Sequence, residues 1–255
     1  KKNKLLFDDL RLNIIQEKTK ILPQKIKFNK ACINSKEIKK NDVFFAIKGR
    51  KNDGNNFVDQ ALKKKASLAI VNKLSKNYIS QQLKTKDSLK FLTESSKIFR
   101  ENINTKIIAI TGSSGKTTLK ELLGNSLNKI SKVNISPKSY NNKYGVPLSL
   151  FNLNQNDEFG VLEIGMDKKG EIDYLSKIVQ PDISVITNIS YAHIKNFRNL
   201  KQVALAKGEI INNTKDNGFI ILNADDIFFM LHQKIAIKKN IKILSFGIKN
   251  KNSNI

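Results

Sequence analysis

The sequence predicts an α/β protein in which a small N-terminal α/β domain precedes a doubly wound, mainly parallel sheet. Short apolar runs rich in β-branched residues alternate with segments of helical period along most of the chain. One of these runs, at 106–111, ends in a glycine-bracketed turn that opens a helix-forming stretch. The 255 residues suffice for two buried cores.

Residues 1–86 are predicted to form the smaller domain. A turn and a buried strand are expected over 41–49, an amphipathic helix over 57–65 and a second strand over 67–71. A helix over 87–100 is expected to lead into the second domain. Its apolar side carries Leu89, Leu92, Ile98 and Phe99.

Residues 87–255 are predicted to form the sheet domain. Strands are expected near 106–111, 132–136, 159–164, 183–188, 219–223 and 241–246. Helices are expected near 116–130, 170–179, 199–213 and 225–234. Because helices separate the strands, the sheet should be parallel, with ligands at the carboxyl ends of its strands. The polar residues 249–255 follow the last strand directly, so we expect this domain to be truncated.

The turn after the first of these strands has the composition of a phosphate-binding loop. Residues 106–118 are KIIAITGSSGKTT. Gly112 and Gly115 carry no Cβ that would keep the backbone amides from an anion. Lys116 would neutralise the β- and γ-phosphates of a nucleotide, and the Thr117 hydroxyl would ligate Mg²⁺.

The match is to a shorter form of the P-loop. The full pattern has a further glycine where this chain has Ile110, which leaves G-x-x-G-K-T-T. The alternative is a Gly/Ser-rich turn with a chance lysine. We predict a P-loop-type domain that binds ATP or a similar nucleotide. The contacting residues would be Gly112, Ser113, Ser114, Gly115, Lys116, Thr117 and Thr118.

Three further polar residues fall where the nucleotide site of such a sheet is expected. Glu163 lies in an otherwise apolar strand, where a carboxylate is costly unless a lysine pairs with it or it binds a metal; we favour Mg²⁺. A lone histidine is more often structural, but the place of His193 after a central strand favours catalysis. Lys207 lies among small and apolar helix residues and is either a shielded, reactive amine or a surface lysine.

Composition narrows the class of protein. The net charge of +24 is typical of a nucleic-acid or anionic-membrane binder, but the lysines are spread along the chain, which favours a generic lysine-rich surface. The single cysteine, Cys32, excludes an internal disulfide and fits a reducing cytoplasm. No apolar run approaches the roughly 20 residues of a membrane span. We expect a cytoplasmic protein that neither binds nucleic acid nor inserts into a membrane.

Taken together, these segments resemble the Mur ligases of peptidoglycan synthesis. In the second domain the matching pieces are GSSGKTT at 112–118 with Lys120-Glu121, Asn141-Asn142 with GVP at 145–147, EIG at 163–165 with GEI at 170–172, Asn188 with Ala192-His193, AKGEI at 206–210 and NAD at 223–225. In the first domain, residues 34–36, 42–49 and 53–54 resemble the region that holds the uridine end of the substrate.

The resemblance implies an ATP-dependent, carbon–nitrogen bond-forming ligase that serves cell-wall synthesis and thereby cell shape and division. The GSSG turn and the GEI segment favour the member that joins D-alanyl-D-alanine to UDP-N-acetylmuramoyl-tripeptide. The tripeptide carboxylate would attack the ATP γ-phosphate to give an acyl phosphate. The dipeptide amine would then displace phosphate.

The resemblance also implies roles for single residues. The implied catalytic residues are Lys116, Asn142, His193 and Lys207. The implied ligands of two Mg²⁺ ions are Thr117, Glu163, His193 and Lys207. The implied substrate-binding residues are Ser35, Lys36 and Asn141. Lys207 matches a lysine that family members carbamylate with CO₂, which turns an ammonium into a metal-binding carboxylate. A monomer is expected.

This chain departs from the family in several places. Asn34 and Lys36 replace an aspartate and an arginine, and Asn55 replaces a histidine. Lysine lacks the two-pronged grip of arginine, so we expect a weaker hold on the substrate. Family chains continue past residue 255 into a third domain that receives the dipeptide. We expect that C-terminal domain to be absent and this chain alone to be incomplete for catalysis.

Three alternatives stay open. A sister Mur ligase that adds the third stem-peptide residue would share the fold and the metal site. A P-loop ATPase that binds nucleic acid would use the positive charge. A non-catalytic remnant would bind the nucleotide sugar only.

Overall fold

The computed structural model describes residues 9–20, 26–49, 51–191, 196–250 and 253–254. The chain divides into two compact units, Lys1–Asn102 and Ile103–Ile255. Each unit contains its own sheet, and every pair of neighbouring strands in the described residues is parallel. The predicted α/β class is confirmed.

The first unit is built on a sheet whose described strands follow their order in the chain. These are β1 (Ala31–Cys32), β2 (Val43–Phe45), β3 (Leu68–Val71) and β4 (Gln82–Lys84). Its described helices are α1 (Leu10–Thr19), α2 (Val58–Lys63) and α3 (Ser88–Glu101). A 3₁₀ turn over Gly54–Phe57 precedes α2. One hydrophobic core is formed by Phe44, Ala46, Val58, Leu62, Ala69 and Val71, among others.

Helix α3 belongs to the first unit, so the division between units falls after Asn102 and not after residue 86 as predicted. The side chain of Asp87 caps the helix by accepting a hydrogen bond from the Lys90 amide at 2.9 Å. Its apolar face buries Phe91, Leu92 and Phe99, and the helix contacts α1 and β2. This packing ties α3 to the first sheet although it follows that sheet in the chain.

The second unit is a larger sheet flanked by helices. Its described strands are β5 (Lys106–Thr111), β6 (Val133–Ile135), β7 (Phe159–Glu163), β8 (Ile183–Ile186), β9 (Phe219–Asn223) and β10 (Lys242–Phe246). Its described helices are α4 (Lys116–Leu127), α5 (Gly145–Phe151), α6 (Glu171–Val179), α7 (Leu200–Asn212) and α8 (Phe229–Lys238).

The spatial order of these strands is β10-β9-β8-β5-β7-β6, which places β5 inside the sheet between β7 and β8. Five of the six residues of β5 are buried, as its apolar, β-branched sequence predicts. The chain leaves β5 for one edge of the sheet and later crosses to the other side. In parallel sheets ligands bind where the strand order reverses, outside the carboxyl ends of the strands. The loop after β5 lies at that point.

Two helices differ from the prediction. Helix α5 was not among the predicted helices, and Gly145, Val146 and Pro147 form its first turn. Proline is tolerated there because the amides of a helix's first turn have no partner within the helix. Helix α8 begins at Phe229 and not at 225, because the Asp226 side chain closes a turn by accepting from the Phe228 amide at 2.9 Å.

Among the described residues, no helix combines the length and the apolar character that a membrane crossing requires.

Candidate functional site

Two glycines, Gly112 and Gly115, shape the loop between β5 and α4, and both have a positive φ. Gly112 has φ +148°, and a Cβ at this position would overlap the Thr187 side chain at the end of β8. Gly115 has φ +76° and is the N-cap of α4. Nothing lies within 4 Å of the place where its Cβ would be. Gly115 is exposed, and the first amides of α4, which follow it, have no partner within their own helix; such amides bind anions.

The middle of the loop is held by residues that follow β8. The Ser113 amide donates to the Asn188 carbonyl at 2.9 Å, and the Ser114 amide donates to Asn188 Oδ1 at 3.1 Å. The Thr187 hydroxyl donates to the Ser114 carbonyl at 2.7 Å. The amides of Ser113 and Ser114 are thus already bonded, and those at the start of α4 are the open ones. Any nucleotide contact by these two serines remains a prediction.

Two lysines converge on the loop. Lys116 Nζ and Lys207 Nζ each donate to the Gly112 carbonyl at 2.9 Å. Lys207 is 1% exposed, so its reading as a surface lysine is wrong. Burial, and then the charge of Lys116, lowers the pKa of Lys207 from 10.5 to about 7. Burial also lowers the pKa of Lys116, while the Glu163 carboxylate acts in the opposite direction. Lys207 is therefore partly a neutral amine at neutral pH.

The lowered pKa of Lys207 predicts a pH-dependent stability. Between pH 7 and 10.5 the folded protein has released a proton that the unfolded chain still binds, so the free energy of unfolding rises with pH in this window. At about 1.4 kcal/mol per pKa unit, the full effect is about 5 kcal/mol. Urea unfolding of the wild type and of Lys207→Met across this window is the measurement. We expect the wild type to gain stability relative to the variant as the pH rises. A difference that stays constant with pH would contradict a buried, uncharged Lys207.

Glu163 ends β7 next to the start of α4 and is 2% exposed. The Thr117 hydroxyl donates to Glu163 Oε2 at 2.7 Å, and the Asn141 amide donates to Oε1 at 2.7 Å. A hydroxyl and an amide hold the carboxylate, so its reading as the partner of a neighbouring lysine receives no support from these contacts. The arrangement gathers hard oxygen ligands beside the open amides of α4.

Asn141 reaches Glu163 because the residue two positions after the carboxylate is a glycine. The Gly165 amide donates to the Asn141 carbonyl at 2.7 Å. A Cβ on Gly165 would lie 2.9 Å from Asn141 Cγ and push that side chain away. Asn141 thus packs against the EIG segment at 163–165 and bonds its glutamate. The sequence predicted Asn141 only as a substrate-binding residue.

The other predicted residues lie as follows. Asn142 is exposed, and its Oδ1 accepts from the Tyr144 and Gly145 amides at 3.0 and 3.1 Å, at the start of α5. His193 lies outside the described residues. In the first unit, the buried Ser35 donates to Gln60 Oε1 at 2.7 Å, and Lys36 is exposed.

Sequence reasoning gave no role to Asn188, which holds the loop, or to Glu209. Glu209 follows Lys207 on α7 and accepts from the Gly170 and Asp173 amides at 3.0 and 3.1 Å, so it ties α7 to the start of α6. Burial raises the pKa of Glu209. Both contacts join residues distant in the chain, so local patterns could not indicate them.

The donor set beside the loop fits Mg²⁺. Within the described part of the chain, no three His, Cys, Asp or Glu side chains cluster in a way that would hold a metal ion by themselves. The hydroxyl of Thr117 and the carboxylate of Glu163 are the oxygen ligands that Mg²⁺ prefers when phosphate oxygens and waters complete its shell. The site therefore suits a metal that arrives with a nucleotide and does not suit a metal held by protein alone.

Comparison with known proteins agrees with this geometry. Residues 110–255 match the Mur ligase middle domain, and residues 28–110 match the Mur ligase family, catalytic domain. The UDP-N-acetylmuramoyl-tripeptide–D-alanyl-D-alanine ligase of Buchnera aphidicola subsp. Acyrthosiphon pisum is 38% identical over 223 residues, which cover 88% of this chain and 48% of that protein.

Solved structures give the same result. A crystal structure of MurF from Acinetobacter baumannii has a TM-score of 0.82 at 34% identity and covers 94% of this chain and 53% of that chain. MurF from Thermotoga maritima in complex with ADP has a TM-score of 0.72 at 32% identity, with 87% and 51% covered. The chain spans about half the length of the curated relatives it matches. The matches and the phosphate-loop geometry lead to one conclusion: this chain belongs to the Mur ligase family.

Proposed function

We propose that this chain forms the substrate- and ATP-binding part of a ligase that joins D-alanyl-D-alanine to UDP-N-acetylmuramoyl-tripeptide. The observation that carries the proposal is the Thr117–Glu163 pair beside the open amides of α4. Relatives at 30–38% identity bear the name of that ligase. In the proposed reaction, the tripeptide carboxylate attacks the γ-phosphorus of ATP and ADP leaves. The dipeptide amine then displaces phosphate from the acyl phosphate.

The chemical task is to bring two anions together, the tripeptide carboxylate and the γ-phosphate. Backbone amides at the start of α4 would bind phosphate oxygens, and they are fixed before the nucleotide arrives. Lys116 would exchange its bond to the Gly112 carbonyl for one to the phosphates and neutralise charge on the transferring group. Thr117 and Glu163 would hold Mg²⁺, which shields the phosphate charge from the incoming carboxylate.

Lys207 and His193 would hold a second Mg²⁺ after CO₂ has added to the Lys207 amine. Carbamylation requires a neutral amine, and the pKa of about 7 supplies one at neutral pH. CO₂ adds to the Lys207 nitrogen, the proton that the amine loses passes to solvent, and the remaining N–H can still donate to the Gly112 carbonyl while the carbamate oxygens would be available to the metal. Asn142 would contact the γ-phosphate or the attacking carboxylate through its exposed amide.

The first unit would hold the uridine end of the substrate near Ser35 and Lys36. Asn141 belongs to the second unit and stays a predicted substrate-binding residue. The buried Ser35 hydroxyl already has Gln60 as a partner, which leaves Lys36 as the exposed cation of this turn. An exposed lysine suits a diphosphate as a point charge. We also propose that the protein is a monomer and that it acts in the cytoplasm, where the UDP-linked precursor is made.

Phosphate release tests the proposal against its alternatives. We expect ATP hydrolysis by a full-length version of the protein to depend on both UDP-N-acetylmuramoyl-tripeptide and D-alanyl-D-alanine, since the first supplies the attacking carboxylate and the second the amine. Stimulation by a free amino acid with the UDP-linked dipeptide would favour the sister ligase. Stimulation by nucleic acid alone would favour the P-loop ATPase. Binding of the nucleotide sugar by calorimetry without binding of an ATP analogue would indicate a non-catalytic remnant.

A further inference from the structure

Besides Lys116, helix α4 carries a second lysine, Lys120, which is buried and has no role in the proposed reaction. The side chain of Lys120 has 0% exposure. Its Nζ donates to the Ser136 carbonyl at 2.7 Å and to the Lys138 carbonyl at 2.5 Å, and lies 3.2 Å from the Glu121 carboxylate. Lysine is rarely buried completely. This lysine therefore holds something that an apolar side chain of the same length would not.

Two carbonyls accept hydrogen bonds from the Lys120 ammonium, and the Glu121 carboxylate pairs with its charge. Removing the charge from water is costly, and two carbonyls and a partly exposed carboxylate offset that cost. A methionine at 120 would fill the same volume without any such cost. The packing of α4 alone thus does not require a lysine at 120. A lysine is required to bind the Ser136 and Lys138 carbonyls.

The bound carbonyls belong to the segment 136–138, which leads from β6 toward Asn141. Lys138 has φ +48°, the left-handed region that a non-glycine residue adopts only at a cost in free energy. The Ser136 hydroxyl accepts from the Glu163 amide at 3.4 Å, so the same segment lies beside the carboxylate strand. The Lys120 ammonium therefore holds a strained segment to the helix that begins at the phosphate loop.

Lys120 and Thr117 are three residues apart on α4 and lie on one side of the helix. Thr117 bonds one oxygen of Glu163, and Asn141, which follows the bound segment, bonds the other. We propose that Lys120 is a positioning residue: by joining α4 to the segment 136–138, it sets Thr117 and Asn141 at the separation that holds Glu163 for the metal. The binding of a metal at Glu163 rests on the proposed function, whereas the positioning of Thr117 and Asn141 by Lys120 does not.

The test compares this chain with three single-residue variants. Lys120→Met removes the charge at similar volume, Lys120→Arg keeps the charge and its donors, and Lys129→Met changes an exposed lysine just beyond the same helix as the matched control. Hydrogen exchange of the amides in 136–142 is followed without ligand. The affinity for ADP is then measured by calorimetry with and without Mg²⁺.

We expect Lys120→Met to raise exchange over 136–142 by about tenfold while β5 and β7 stay protected. ADP affinity without Mg²⁺ should be unchanged, and the increase that Mg²⁺ brings in the wild type should be lost. Lys120→Arg should recover part of it, and Lys129→Met should behave as the wild type. Unchanged exchange in Lys120→Met would overturn the inference, as would failure of both Lys120 variants to fold, because the lysine would then support the fold and not the segment.

The two measurements separate this inference from the proposed function. Hydrogen exchange needs no nucleotide, so it tests the role of Lys120 whether or not the chain binds ADP. A wild-type chain that does not bind ADP contradicts the proposed function. A wild-type chain that binds ADP with Mg²⁺, together with a Lys120→Met chain that keeps the full Mg²⁺ effect, contradicts the positioning role alone.

Discussion

Replacement of Lys116 by methionine is expected to weaken the affinity for an ATP analogue about a hundredfold, which corresponds to about 3 kcal/mol. The Lys116 ammonium lies over the phosphate loop and bonds the Gly112 carbonyl, from which it can turn to a bound phosphate. Burial already lowers its pKa, so its charge acts in a partly dehydrated site where it counts for more than in water. Calorimetric titration of the chain measures the effect.

In a full-length version of the protein, turnover is expected to fall further than affinity when Lys116 is replaced by methionine. A preorganised charge contact to the transferring group contributes on the order of 3–4 kcal/mol to transition-state stabilisation. Lys129→Met is the control, since Lys129 is an exposed lysine just past the end of α4. Equal affinity of the Lys116→Met chain and the control chain for the analogue would show that the loop does not bind phosphate.

Replacement of Glu163 by glutamine is expected to abolish the dependence on Mg²⁺. Glutamine keeps the shape of the side chain, and Thr117 and Asn141 can still bond it, so the fold should be retained. The negative charge that attracts the metal is lost. Added Mg²⁺ should no longer raise the affinity of this chain for the nucleotide, and substrate-dependent phosphate release by a full-length version should drop by roughly 10²–10³-fold.

Glu158→Gln is the matched control for this variant. Glu158 precedes the same strand at its opposite end, is exposed, and accepts from the Ser131 hydroxyl at 2.7 Å. We expect it to keep the Mg²⁺ response of the wild type. A Glu163→Gln chain with a normal Mg²⁺ response would mean that the metal is held elsewhere and that the buried carboxylate is structural.

The second sheet was largely predictable because all of its described strands except β6 are apolar runs of four to six residues. The bounds of β5 and β9 agree with the prediction, since continuous β-branched runs end there in Gly112 and in a polar turn. The short strands β1 and β4, of two and three residues, carry no periodicity that could be read from the sequence. Helix α1 also escaped prediction, because it buries Arg11 and Asn13 together with Leu12, Ile14 and Ile15 and so has no regular apolar face.

The site was predictable where one residue conflicts with its local surroundings. A glutamate in an apolar strand indicated Glu163, and a lysine among small residues indicated Lys207, because each would be costly to bury without a partner. The partners were not predictable: Asn141 lies 22 residues from Glu163, and Gly112 lies 95 residues from Lys207. Lys120 was matched to the family only as part of the Lys120-Glu121 pair, and its burial was not predictable because lysine is common in helices and only the fold shows that this one is buried.

The central claim is that a nucleotide's phosphates bind the amides at the start of α4 with Mg²⁺ at Thr117 and Glu163. Amide chemical shifts of the isotope-labelled chain, recorded during titration with Mg²⁺ and a non-hydrolysable ATP analogue, test it most directly. We predict the largest changes at Gly115, Lys116, Thr117 and Thr118, with a further change at Glu163 that requires Mg²⁺. Unchanged shifts at these residues in the presence of saturating analogue would contradict the claim.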